Sequence, residues 1–252
     1  MTAAPSKQVL ITRPEPDASA FAAMCAANGF APVLAPLMEI EIKRRPADLE
    51  GVGALAFTSA NGVRAFAANS TIRKQIVFAV GRATADAARK EGFAEIRVAA
   101  GDVASLARTI ADARAAIDGA VLHVAGSDRA GDLIAALDGH GVPARRAVFY
   151  KARAVDVLPL AARTALEARP PVQWAALFSP RTAALFVSLV RDAGLEDRLG
   201  AVRAACLSAA VADAARDVVW RSRDVAVEHT AESMVALMRD DDAAPPDCGA
   251  RG

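Results

Sequence analysis

The sequence predicts an α/β protein of two doubly wound, flavodoxin-like parallel-sheet domains joined by a two-stranded antiparallel β-ladder. Three observations carry this expectation. Short apolar runs alternate with helical stretches along the 252 residues, the mark of parallel strands covered on both faces. The runs are too many for one compact flavodoxin-like sheet. Two segments break the rule: PLMEIEI (36–42) and VFYKARAV (148–155) alternate apolar with polar residues, the period of a half-exposed antiparallel strand.

In chain order, QVLIT is a strand and residues 16–28 a helix, then APVLAP a strand and PLMEIEI the first alternating run. ALAFT, IVFAV, EIRVAA and AVLHVA follow as strands, each leading into a helical stretch, at 62–69, 84–91, 105–117 and 130–140. AVFYKA opens the second alternating run. WAALFS, VRAACLS and DVAVE are then followed by helical stretches at 182–193, 209–216 and 231–238. If the two alternating runs pair, the middle of the chain is a domain inserted into the other. Domain one is then 1–36 plus 156–239 and domain two 43–147. Residues 37–42 and 148–155 are linker strands, and 240–252 form an acidic, proline-rich tail expected to fray. A faint repeat supports two similar halves. ALAFTSANGVRAF resembles AALFSPRTAALF, and AVGRATADAARKEGF shares ADAAR with CLSAAVADAARDVVW. Alanine-rich helices also resemble one another by chance.

Composition bounds the function. Hydrophobic residues are 54% and charged residues 23%, which provides a core and argues against wholesale disorder. A net charge of +1 gives no basic field for nucleic acid. Cys25, Cys206 and Cys248 are odd in number and widely spaced, which suits reduced thiols and neither a disulfide framework nor a zinc site. No run approaches the roughly 20 apolar residues of a membrane span, and the first residues lack the apolar stretch of a signal peptide. A cytoplasmic protein is expected.

In parallel sheets, ligands bind beyond the C-terminal strand ends, where the next helix presents free N–H groups. Thr58, Ser59 and Asn61 occupy such a turn, and Gly62 lets a ligand approach the backbone. They can equally be plain helix caps. Similar turns recur at Thr12-Arg13-Pro14, Gly81-Arg82-Ala83-Thr84, Gly126-Ser127-Asp128-Arg129, Ser179-Pro180-Arg181 and Ser208. If the two rims face one cleft, N–H donors, hydroxyls and arginines suit a ligand with many carboxylates. Dinucleotide, P-loop and acyl-transfer motifs are missing. His123, in an apolar strand, reads as a satisfied core residue; His140 and His229 lie far from it in sequence, so no metal site is expected. Tyr150, the single tyrosine, falls on the proposed linker. It is either a donor near the cleft or a packing aromatic.

VLITRP, PLMEIEI, FTSANGV, AVGRATADAARKEGF, AVFYKA, LFSPRTAALF and TAESMVALM, in this order to about residue 238, resemble the uroporphyrinogen-III synthase family. The resemblance implies that the linear tetrapyrrole hydroxymethylbilane is cyclised to uroporphyrinogen III, with inversion of ring D and loss of water, through an azafulvene cation and a spiro intermediate. It implies no cofactor and no metal, a monomer, and hand-over of substrate from hydroxymethylbilane synthase. It marks Tyr150 as the proton donor, and Arg13, Thr58, Ser59, Asn61, Gly81, Thr84, Arg129, Ser179 and Ser208 as substrate-binding. Two places depart from the family pattern. Ser208 and Val211 stand where a glycine and a threonine are usual, and Ala125 where an arginine is frequent. The alternative is a non-catalytic two-domain small-molecule-binding or sensor protein, for which no output domain is evident.

Overall fold

A computed structural model describes residues 7–128 and 131–239. These form two compact units, one of residues up to Glu39 together with those from Ala154, the other Ile40–Arg153.

The first unit is built on β1 (Gln8–Ile11), β2 (Ala31–Leu34), β9 (Trp174–Leu177), β10 (Arg203–Cys206) and β11 (Ser222–Val225). All pair in parallel, in the order β11-β10-β9-β1-β2. Counted within the unit this is 2-1-3-4-5, the flavodoxin order. Successive residues of β1 serve opposite faces, as the pleat requires. Leu10 packs with α6 (Leu160–Glu167), α7 (Pro180–Asp192) and α8 (Ala209–Ala214). Val9 and Ile11 pack with α1 (Asp17–Ala27) and α9 (Ala231–Arg239).

The second unit holds β4 (Val52–Phe57), β5 (Ile76–Ala79), β6 (Ile96–Val98), β7 (Ala120–Gly126) and β8 (Ala144–Ala154), with β3 (Met38–Ile42) at the edge. The order is β3-β8-β7-β4-β5-β6. Leu55, Phe57, Val77 and Leu122 face α2 (Ala60–Ala67) and α3 (Arg82–Lys90). Ala54, Ala56, Phe78 and Val121 face α4 (Val103–Asp112) and α5 (Leu133–Asp138). Phe57, Phe66, Phe93 and Phe149 pack ring to ring on the first of these faces, with centroids 5.9 to 6.1 Å apart. Leu106 and Ile110 bury the inner side of α4, whose start is closed by a reciprocal capping box between Asp102 and Ser105.

Several features differ from the sequence expectation. The parallel strands of the second unit run 3-2-1-4-5, counting β4 as the first, because β5 and β6 are added on one side of β4 and β7 and β8 on the other. This is the other doubly wound order, and only the first unit has the flavodoxin one. The ladder is antiparallel: Lys43 N–H donates to Phe149 O at 2.8 Å and Val155 N–H to Leu37 O at 3.0 Å, so residue numbers rise on one strand as they fall on the other. Yet β8 is longer than a linker. It begins at Ala144 and pairs in parallel with β7 over most of its length, so Tyr150 sits within a sheet. The helix α6 has no counterpart in the sequence reading. Its buried residues are only Ala162, Ala165 and Leu166, too small an apolar stripe to stand out. The α5 helix is shorter than 130–140 because Asp132 caps it and Gly139 follows it. β11 starts two residues before DVAVE and leaves Val227 exposed.

Candidate active site

Each sheet reverses its winding once, and the crevice at such a switch point is where open α/β sheets bind ligands. In the first unit the reversal lies between β1 and β9, and in the second between β4 and β7. The residues that leave these four strands are Thr12-Arg13, Phe178-Ser179, Thr58-Ser59 and Ser127-Asp128. Thus Arg13, Thr58, Ser59 and Ser179 stand at switch points. Gly81 and Ser208 lie one strand further out, after β5 and β10.

The second unit builds the denser cluster. Ser59 is the N-cap of α2, in extended conformation, and its Oγ accepts from the Gly62 N–H at 3.3 Å. The same Oγ lies 2.9 Å from the Tyr150 hydroxyl. Tyr150 reaches it because β8 pairs with β7 in a register that sets Gly126 opposite the tyrosine. A Cβ on Gly126 would meet the Tyr150 ring at 2.9 Å and its hydroxyl at 3.2 Å. Only a glycine leaves the ring where it is. Gly62 is also tight, with a Cβ there 3.0 Å from the Val124 carbonyl oxygen.

Thr58, on the same turn, has its Oγ1 3.3 Å from His123 Nε2. His123 is only 7% exposed. Burial, and secondarily the Arg146 guanidinium, push its pKa down to about 4, against a smaller opposing pull from Asp132. The ring is therefore neutral near pH 7. The expectation of a satisfied core histidine is met at one nitrogen only, since Nδ1 is buried without a hydrogen-bond partner among the described residues. Arg146 is its cross-strand neighbour, and its Nη2 donates to the Gly126 and Ser127 carbonyls.

The other expected residues are placed as follows. Asn61 turns its Oδ1 to Arg64 Nη1 at 2.9 Å, along its own helix. Gly81 caps α3 with its backbone, and no side chain caps that end; Thr84, in the first turn, is 5% exposed. In the first unit, Ser179 Oγ accepts from Thr182 N–H at 3.1 Å and lies 2.8 Å from Thr182 Oγ1. Arg13 reaches Asp17 at 3.3 Å and stacks over the Phe178 ring at 4.2 Å. Ser208 precedes α8 without capping it through its side chain, and Val211 is buried. Arg129 lies outside the described residues. His123 and Arg146 do not stand out as site residues from sequence, and Gly126 does so only as part of a strand-end turn. Their signal is a histidine in an apolar strand, a second arginine beside Arg145 at the start of β8, and a glycine at a strand end opposite the tyrosine.

Among the described residues, no three of His, Cys, Asp and Glu stand close enough to share a metal ion, and no helix is long and apolar enough to cross a membrane. The arrangement offers hydroxyls backed by fixed donors, backbone N–H groups at helix starts, and arginine. Such groups donate hydrogen bonds to oxygen ligands.

Two doubly wound α/β units with hydroxyl-bearing switch points place the chain among open-sheet proteins, whose ligand crevices lie beyond the carboxyl ends of the strands. Residues 19–236 match the family described as Uroporphyrinogen-III synthase HemD, so the chain belongs to the uroporphyrinogen-III synthase family. Membership disfavours the non-catalytic alternative. The fold is similar to a mutant uroporphyrinogen III synthase from the extremely thermophilic bacterium Thermus thermophilus, at TM-score 0.56 and 18% identity over 93% of this chain and 97% of that one. It is likewise similar to uroporphyrinogen-III synthetase from Helicobacter pylori, at TM-score 0.58 and 17% identity over 93% and 99%. No curated protein matches the chain in sequence.

Proposed function

We propose that the protein cyclises hydroxymethylbilane to uroporphyrinogen III, a lyase reaction that inverts ring D and releases water. The observation that carries this reading is the family match over residues 19–236. The hydrogen bonds around Tyr150 supply a chemical route. Gly62 N–H donates to Ser59 Oγ, which frees the Ser59 hydroxyl proton to point at the Tyr150 oxygen 2.9 Å away. Tyr150 then keeps its own proton for the substrate. As the hydroxymethyl C–O bond breaks, that proton passes to the departing oxygen and water leaves. Ser59 supports the resulting phenolate. The proton later given up by the closing carbon of ring D balances the one donated. The conversion neither oxidises nor reduces the substrate, so its stoichiometry calls for no redox cofactor.

The many carboxylates of the bilane are assigned to helix starts and cations: the first turns after Ser59, Gly81, Ser179 and Ser208, with Thr58, Asn61, Thr84, Arg13 and Arg129 as further donors. Asn61 accepts from Arg64 through Oδ1 and would serve as a donor through Nδ2, and Thr84 has little exposed surface to offer. The protein acts as a cytoplasmic monomer receiving its substrate from hydroxymethylbilane synthase, with Cys25 and Cys206 as buried free thiols. The test is direct. Purified protein is incubated with freshly generated hydroxymethylbilane, the products are oxidised, and the porphyrin isomers are resolved. Type III isomer is expected; type I alone overturns the assignment.

A further inference from the structure

We propose that His123 is a positioning residue, whose Nε2–H donates to Thr58 Oγ1 and thereby reserves the Thr58 hydroxyl proton for a substrate carboxylate. The inference rests on the functional reading above and adds a residue which that reading does not use. Three observations support it. First, one partner is in reach among the described residues: Thr58 Oγ1 lies 3.3 Å from Nε2, while Nδ1 is buried with none among them. Second, the surroundings choose the tautomer. β7 lies between β4 and β8, and His123 pairs with Ala56 on one side and Arg146 on the other. Arg146 stands on the strand beside the ring and its cation acts on the imidazole more strongly than the opposing Asp132 carboxylate. A lone pair is tolerated beside a cation, whereas a buried N–H pointing there is unmet and repelled. The proton therefore resides on Nε2. Third, the arrangement is held. Arg146 is tied to two backbone carbonyls, and burial keeps the imidazole uncharged.

The result parallels the neighbouring hydroxyl. Ser59 receives a backbone N–H from Gly62, which turns its proton toward Tyr150; Thr58 receives a ring N–H, which turns its proton toward the substrate. Without the ring, the Thr58 hydroxyl is free to rotate and to accept where it should donate.

The experiment joins spectroscopy to kinetics. Long-range 15N–1H spectra of the wild-type protein are expected to show His123 protonated at Nε2 near pH 7; an Nδ1–H tautomer overturns the proposal. A cavity of about 750 Å³ flanks the ring, lined by Asp132, Leu133, Val142 and Arg146 among others, so side chains of similar size fit. Removing the donor in His123→Leu is expected to raise KM for hydroxymethylbilane about tenfold, the worth of one hydrogen bond to a charged group, with kcat little changed. His123→Gln places an amide N–H near the Nε2 position and restores KM. Thr58→Val raises KM similarly, and adding His123→Leu to it costs nothing more. Equal impairment in the leucine and glutamine variants, or additive losses in the double variant, means that His123 only packs, and overturns the proposal. A wild type that makes no type III isomer overturns the functional reading and the carboxylate role, while the tautomer measurement still decides the hydrogen bond.

Discussion

Replacing Gly126 by alanine tests whether the placement of Tyr150 matters apart from its chemistry. The added Cβ would lie 2.9 Å from Cε2 and Cζ of the ring and 3.2 Å from its hydroxyl. Carbon atoms pack comfortably at about 3.5 to 4.0 Å, so the ring must retreat by roughly 0.7 Å. Gly126 does not have a positive φ, so alanine adds no backbone strain there and the perturbation is confined to the tyrosine. Tyr150 is half-buried and has room to yield, which puts the stability cost near the low end of overpacking, about 1 kcal/mol. The 2.9 Å contact with Ser59 does not survive a shift of that size with useful geometry. A misplacement near 1 Å can cost about 100-fold in rate. Gly126→Ala is therefore expected to lose about 100-fold in the initial rate of type III formation while melting only a few degrees lower, and Tyr150→Phe in that background should add little. The assay is isomer-resolved turnover beside circular dichroism melts. If Gly126→Ala turns over like wild type while Tyr150→Phe is crippled, the position of the phenol is not what the glycine protects and the reasoning fails.

Other outcomes follow from groups described above. The pKa of His123 falls from its usual 6.5 to about 4 on folding, through burial and Arg146 and against Asp132. The unfolded chain therefore binds the proton first, and stability present above pH 6.5 is lost as pH falls toward 4, by about 3 kcal/mol in total. Urea melts across that range should show the loss, and His123→Gln should remove that part of the slope. Ser179→Ala removes the cap on Thr182 N–H and should cost about 1 kcal/mol, measured by the urea midpoint; no change would make the cap redundant. Cys25 and Cys206 are buried, and burial pushes their thiols up to about 12 and about 11. Iodoacetamide should label neither in the folded protein at pH 8 and both in urea, as read by mass spectrometry of the tryptic peptides.

What the sequence reveals depends on how local the cause is. The strands β4 and β9 are legible because burial on both faces makes them continuously apolar, and β1 and β7 depart from this only at Gln8 and His123. The turn at Thr58 and Ser59 is legible because a hydroxyl between a strand and a helix is a local signal. α6 is not legible, because two alanines and one leucine form its buried face. The order of the second sheet is hidden too, since nothing within a strand states which neighbour it will take. The same limit conceals the site's connections. Ser59 meets Tyr150, and Thr58 meets His123, only through the β8-β7-β4 register. The glycine that admits the tyrosine ring is 24 residues from it in sequence, the separation of positions 126 and 150.

The split unit also shapes how the chain can mature. Its central pair, β1 with β9, joins segments made far apart: Gln8 N–H is held by Gln173 across 165 residues. During synthesis the first two strands must wait for the third, whereas the unit of residues 40–153 is complete as soon as it leaves the ribosome. Once Val155 is fastened to Leu37, most of that long excursion is bypassed, and the closure that remains is cheaper by roughly 1 kcal/mol. The inserted unit is thus a built-in scaffold for its host, and lesions that slow its assembly should strand the early strands as an aggregation-prone nascent segment.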